Sequence, residues 1–146
     1  MFNVVIGKES MTMKIMAAVD NDNGLMFNNR RQSSDKALYE HIINEIGGNK
    51  LWVSMYSRQL FSAYDNLEMS QGIGRAGEND YCFIEDSDIK PYEDKIDTVI
   101  LYKWNRSYPS DLSFPVDMLK NFKLKSTTDF EGNSHEKITE EVYIRK

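Results

Sequence analysis
The stretch from Ile96 to Pro115, IDTVILYKWNRSYPSDLSFP, limits most strongly what this chain can fold into. Val99, Ile100, Leu101, Tyr102 and Trp104 make a β-branched and aromatic run, the pattern of a strand covered on both faces. Such a strand needs a layer above it and a layer below it, which points to an α/β sheet. At 146 residues the chain suits one domain, and a domain of that size buries about 70% of its unfolded surface without staples.

The other elements follow from periodicity and punctuation. Met13 to Val19 has strand length and strand hydrophobicity, and the DNDNG that follows is a dense turn signal. Ser33 to Gly47 is the clearest helix: Ser33 or Ser34 caps it, Asp35 complements its dipole, and Gly47 and Gly48 stop it. Leu38, Tyr39, Ile42, Ile43 and Ile46 form its apolar stripe, with His41 on the edge as a structural histidine. Lys50 to Met55 is a strand, Tyr56 to Tyr64 a short helix, and Tyr81 to Ile84 a strand that runs into Glu85, Asp86 and Asp88. Phe122 to Ser126 and Ile138 to Ile144 flank the turn-rich DFEGNSHE and read as an antiparallel pair on a sheet edge. The expected fold is therefore α/β: a single domain over 13–146 with a mixed, mostly parallel central sheet, flanking helices and an antiparallel C-terminal strand pair. Residues 1–12 are an extension or an edge strand.

Several function classes are disfavoured at once. Gly72, Gly74 and Gly77 spell G-x-G-x-x-G, but no strand precedes them and a strand rather than a helix follows, so they read as a loop. The single Cys82 and the two histidines are too few for a cysteine-rich zinc site or most histidine centres, and no metal is predicted. One cysteine also fits a reducing, cytoplasmic setting. No apolar run approaches the roughly 18 residues of a membrane span. The formal net charge is −5 with scattered Lys and Arg, so a general grip on nucleic-acid phosphates is not expected.

Three stretches then carry a resemblance. MKIMAAVDNDNGLMFNN is similar to a strand and loop of the pattern V-D-x-x-x-G-I-G-x-x-N; LYKWNRSYPSDLSFP lies without a gap on a strand and D-T-x-F-P loop; NSHEKITEEVYIRK, with Asn133, Ser134 and His135, resembles a closing strand. Together they resemble dihydrofolate reductase in layout, over most of the chain from Met13 onward. The strings RRQS, YKWNR and GNSHEKIT are similar to those of small bacterial proteins of the same layout.

The resemblance implies that fold, but the family's chemistry does not carry over. Its acid near the start of the helix falls on Leu38, with Asp35 almost one turn earlier and Glu40 shortly after. Its L-P-W becomes Arg31, Gln32 and Ser33, and its phosphate-holding G-R-x-T becomes Ser54, Met55, Tyr56 and Ser57. Its glycine cradle becomes Phe83, Ile84, Glu85, Asp86 and Ser87, which sets carboxylates against cofactor phosphates. At roughly 4 Å and an effective dielectric of about 20, each like-charge contact costs about 4 kcal/mol. NADPH is not expected, and no cofactor is predicted.

The expected function is a non-catalytic or diverged dihydrofolate reductase-like module holding a small, nucleotide or phosphate-bearing ligand in the cleft at the strand ends. The expected ligand-binding residues are Asn23, Leu25, Arg30, Arg31, Ser33, Ser34, Tyr56 and Glu85. Among these, the two arginines and two serines bring anion-binding groups to a helix start. One alternative is a diverged enzyme with Asp35 or Glu40 as acid or base. Another is a mobile-element-encoded inhibitor that binds a host protein or sequesters a signalling nucleotide. The partner is a small molecule or a protein, not a membrane, and a homodimer is compatible with the chain.

Overall fold
The computed structural model describes residues 13–69 and 76–146. In chain order the elements are strands β1 (Met13–Val19), β2 (Gly24–Phe27) and β3 (Arg30–Arg31), helix α1 (Lys36–Ile46), and strands β4 (Leu51–Val53), β5 (Leu67–Met69) and β6 (Tyr81–Phe83). Then follow β7 (Ile96–Lys103), β8 (Leu112–Ser113), β9 (Phe122–Phe130) and β10 (Ile138–Arg145). Seven strands form the main sheet in the order β5-β4-β6-β1-β7-β10-β9, and β3-β2-β8 form a small second one. The first five of the seven are mutually parallel, whereas β10 runs antiparallel to both β7 and β9. This is the mixed, mostly parallel sheet with an antiparallel C-terminal pair. The expected edge strand at residues 1–12, and Gly72 and Gly74, lie outside the described residues.

The two faces of the sheet take alternate side chains, as strand geometry requires. Ile15, Ala17, Val19, Val99 and Leu101 face one core with Phe114, Met118 and Phe122. Met16, Phe83, Ile100 and Tyr102 face the other, under α1. Val99, Ile100, Leu101 and Tyr102 are at most 4% exposed. That double burial explains the apolar run in β7, although β1 rather than β7 is the middle strand. The expected flanking helices prove unequal. The α1 face is helical, while among the described residues the opposite face is covered by the small sheet and by short 3-10 helices at Lys90–Lys95 and Val116–Asn121. The short helix expected over Tyr56 to Tyr64 is a 3-10 turn, Arg58–Phe61.

Helix α1 buries Leu38, Tyr39, Ile42 and Ile46, four of the five stripe residues read from the sequence, leaves Ile43 half-buried, and is ended by Gly47 with φ 58°. The start differs: the cap is Asp35, with φ −153° and its carboxylate accepting from the Ala37 N–H, not Ser33 or Ser34. A carboxylate that also collects donors from elsewhere outcompetes a hydroxyl for the cap position. The β2–β3 hairpin is absent from the sequence reading. Asn28 and Asn29 both have positive φ, 51° and 62°, which gives the primed turn that matches strand twist, and asparagine tolerates that conformation better than most residues.

Ile42 is fully buried whereas Ile43 is only half-buried. Ile42→Ala should therefore cost about 3 kcal/mol and Ile43→Ala about 1 kcal/mol or less. Urea unfolding midpoints at an unchanged slope would check both values.

Candidate functional site
Parallel strands end together, so β1, β4, β6 and β7 deliver their following residues to one edge of the sheet. Asp20, directly after β1, is fully buried there. Its Oδ1 accepts from the Asp22 and Gly24 N–H groups, and its Oδ2 from the Tyr108 N–H at 2.9 Å and Gln32 Nε2 at 3.1 Å. Burial alone would raise its pKa, but the backbone hydrogen bonds from Tyr108, Gly24 and Asp22 bring it below the usual range. Asp20 thus ties the β1–β2 turn to the loop after β7. Gly24 is required in this joint: a Cβ there would lie 2.5 Å from Gln32 Nε2 and 2.7 Å from Ser110 Cβ.

Arg31, Tyr56 and Glu85, all expected ligand contacts, come together but satisfy one another. Arg31 Nε donates to Glu85 Oε2 at 2.8 Å and Nη2 donates to Oε1 at 3.1 Å. Ser57 Oγ adds a third bond to Oε1 at 2.7 Å. The guanidinium lies 4.5 Å from the Tyr56 ring centroid, and the Tyr56 hydroxyl accepts from the Arg31 N–H. The bond to Glu85 raises the Arg31 pKa against the opposing effect of burial. Glu85 is therefore a neutralised, 7% exposed carboxylate rather than a bare one.

The second cluster joins the start of α1 to the turn before β10. Asp35 Oδ1 accepts from the Ala37 and Asn133 N–H groups. Its Oδ2 accepts from the Ser134 and His135 N–H groups and from Ser134 Oγ, and lies 2.9 Å from His135 Nδ1. On the far side of the imidazole, Nε2 lies 3.0 Å from Ser33 Oγ and 3.1 Å from the Tyr108 hydroxyl. Trp104 stacks on the ring at 4.5 Å. Burial pushes the Asp35 pKa up, yet the bonds from Asn133, His135 and Ser134 outweigh it and hold the carboxyl far below its ordinary value. Asp35 stays ionised. Leu38, which the gapless alignment sets at the family's acid position, is a fully buried core residue; the carboxylate at the helix start is Asp35.

Between the β2–β3 hairpin and the loop after β7 lies a cavity of about 550 Å³, lined by Phe27, Asn28, Arg30, Arg31, Gln32, Tyr108 and Pro109. Of the expected ligand residues only Arg30 and Arg31 line it. Leu25 is buried in the core, and Asn23 is a left-handed turn residue whose carbonyl accepts from the Phe114 N–H. Ser34 and Glu40 are exposed beside a different hollow, with Lys36 and Tyr39. Sequence reasoning did not single out Asp20, Gln32 or Tyr108. Asp20 had a signal in the DNDNG turn, whereas Gln32 and Tyr108 had none.

The remaining histidine is structural in its contacts. His41 Nε2 lies 3.1 Å from Glu140 Oε2, which also accepts from the Tyr102 hydroxyl, and the His41 ring stacks on Phe130. Glu45 completes a group within 4.8 Å that could hold a cation, but an ion would have to displace the bond between His41 and Glu140. Burial pushes the Cys82 thiol up to about 12, which makes it inert as a nucleophile. None of the described helices is long and apolar enough to cross a membrane.

A sheet of this order, with β10 inserted antiparallel beside β7 and α1 over one face, defines a dihydrofolate reductase-like fold. Dihydrofolate reductase from Enterococcus faecalis, solved in complex with NADP(H) and RAB-propyl, is similar with a TM-score of 0.69, over 94% of this chain and 98% of that one. Sequence identity is 11%, so the likeness is one of fold. No family model matches the sequence, and no curated protein matches it.

Two predictions follow from the buried carboxylates. A Cβ on Gly132 would lie 2.6 Å from Asp35 Oδ2 and from the His135 carbonyl, so Gly132→Ala should destabilise by about 2 kcal/mol or more in urea unfolding. The pKa values of Asp20, Asp35 and Glu140 are all depressed in the folded state. Their contribution is complete above the unfolded carboxylate range, about pH 4, and is lost as pH falls through the folded values. The melting temperature should hold between about pH 7 and pH 5 and drop below about pH 4. Asp35→Asn should lower it at neutral pH and flatten the acid limb.

Proposed function
We propose that this chain is a small-molecule-binding module whose ligand is anionic, carrying a phosphate or carboxylate, and enters the cavity beside the β2–β3 hairpin. The observation that carries the reading is the difference between the two arginines. Arg31 is neutralised by Glu85, whereas among the described residues no carboxylate pairs with the exposed Arg30, which borders the cavity. Gln32 supports it further: its Oε1 is buried without a partner among the described residues, so a ligand with a hydroxyl or amine donor would satisfy it. The cavity volume falls within the range of small-ligand sites, roughly 300 to 1,000 Å³.

The strand-end cleft does not fit a dinucleotide held as the reductase family holds it. The guanidinium of Arg31 and the Glu85 carboxylate occupy the edge beyond β4 and β6, and Asp86 adds an exposed carboxylate bonded to Ser54 Oγ. A ligand therefore gains more on the hairpin side, where Arg30 has no carboxylate partner among the described residues. The setting proposed is a reducing cytoplasm, in keeping with the one buried cysteine.

Thermal melts in inorganic phosphate, sulfate and a nucleotide would test the reading. Saturating anion should raise the melting temperature of the wild type, with about 2.7 kcal/mol gained at a hundredfold excess over Kd. Arg30→Ala should lose that gain while keeping its own stability. Arg31→Ala should instead lose about 2 kcal/mol without any ligand, because it leaves Glu85 buried and unpaired. Equal stabilisation of Arg30→Ala and wild type, or none of the wild type, would overturn the assignment.

A further inference from the structure
The grouping around His135 has the order and spacing of a nucleophile-activating relay. Asp35 Oδ2 lies 2.9 Å from Nδ1, and Ser33 Oγ lies 3.0 Å from Nε2. An ionised carboxylate only accepts, so Nδ1 carries the proton and Nε2 presents its lone pair to the two hydroxyls beside it, Ser33 at 3.0 Å and Tyr108 at 3.1 Å. Carboxylate, imidazole and hydroxyl in this sequence raise the reactivity of an alcohol that is otherwise a weak nucleophile.

Local geometry explains how the three groups meet. Asp35 is extended, with φ −153° and ψ 118°, and it and Ser33 bracket the imidazole, Asp35 on Nδ1 and Ser33 on Nε2. The imidazole is held by the 133–135 turn clamped on Asp35 and by the stacked Trp104 ring. His135 is 3% exposed, so the base is screened from water, whereas Ser33 is half-buried and sits beside the cavity between two residues that touch it, its chain neighbour Gln32 and its hydrogen-bond partner Tyr108. The Tyr108 hydroxyl lies 3.4 Å from Ser33 Oγ, and Tyr108 with Gln32 lines the cavity next to it.

We propose that Ser33 is the nucleophile of an acyl-transfer centre, with His135 as its general base and Asp35 as the positioning residue, acting on a small ester or thioester whose acyl group enters from that cavity. The Ser33 Oγ lone pair forms a bond to the carbonyl carbon while its proton passes to His135 Nε2, and the carbonyl π pair moves onto oxygen. Tyr108, already within hydrogen-bond range of Oγ, donates to that oxyanion. Collapse breaks the bond to the leaving alcohol or thiol, which takes the proton from Nε2. Water then repeats the sequence on the acyl-serine and releases the acid. The proposal rests on the cavity as the binding site, as the preceding reading does, but not on its preference for anions.

The test uses the full chain with a fluorophosphonate probe and with 4-nitrophenyl acetate, the modified residue being located by peptide mass spectrometry. Wild-type protein should be labelled at Ser33, with a nitrophenolate burst of one equivalent per chain. Ser33→Ala should lose label and burst while melting within a few degrees of wild type. Tyr108→Phe should still be labelled at Ser33 but acylate about a hundredfold more slowly. Labelling at Ser33 no faster than at the exposed Ser62 and Ser110 would overturn the proposal, as would an unchanged burst in Ser33→Ala. Stabilisation by phosphate without Ser33 labelling would sink acyl transfer alone, and Ser33 labelling without phosphate stabilisation would sink the anion reading alone.

Discussion
The carboxylate of Asp35 is the constraint on which the arrangement depends. It caps α1 through the Ala37 N–H and, from about a hundred residues away in sequence, gathers the N–H groups of Asn133, Ser134 and His135. The turn it organises leads directly into β10, the strand that joins β7 to β9. A buried charge without partners would cost several kcal/mol, so the helix start and the C-terminal turn are each incomplete without the other. Gly132 exists in this scheme for proximity: no larger residue leaves room between Asp35 and the His135 carbonyl.

The same logic recurs along the strand ends. Asp20 is satisfied by backbone donors from two loops, Glu85 is paired with Arg31 and bonded by Ser57, and Glu140 is held by His41 and the Tyr102 hydroxyl. An acidic chain thus closes the edge where parallel α/β sheets usually present their ligand crevice, using its own side chains. The neighbouring cavity under the hairpin stays open, with Arg30 at its border and Tyr108 linking it to His135 and Ser33.

Much of the fold was legible because burial writes itself into residue type. The run in β7 is apolar on consecutive positions because both faces are covered, and the α1 stripe repeats at helical spacing because one face is. The missed pieces were short: β3 and β8 have two residues each, β5 three and β2 four, too few for a clear period to emerge. The anion candidates were half legible. Adjacent arginines mark a charge, but nothing local says that Arg31 turns toward Glu85, whose partner is distant in sequence, while Arg30 stays exposed.

The sequence by itself determined the α/β class, the strand and helix that build the two cores, and the stop at Gly47, since each depends on side-chain hydrophobicity or backbone freedom within a few residues. Only the tertiary structure decided that Asp35 rather than a serine caps α1, that Glu85 is neutralised, and that Ser33, His135 and Asp35 stand in line. Those outcomes depend on hydrogen bonds between segments far apart in the chain, and such bonds leave no periodicity for a sequence to display.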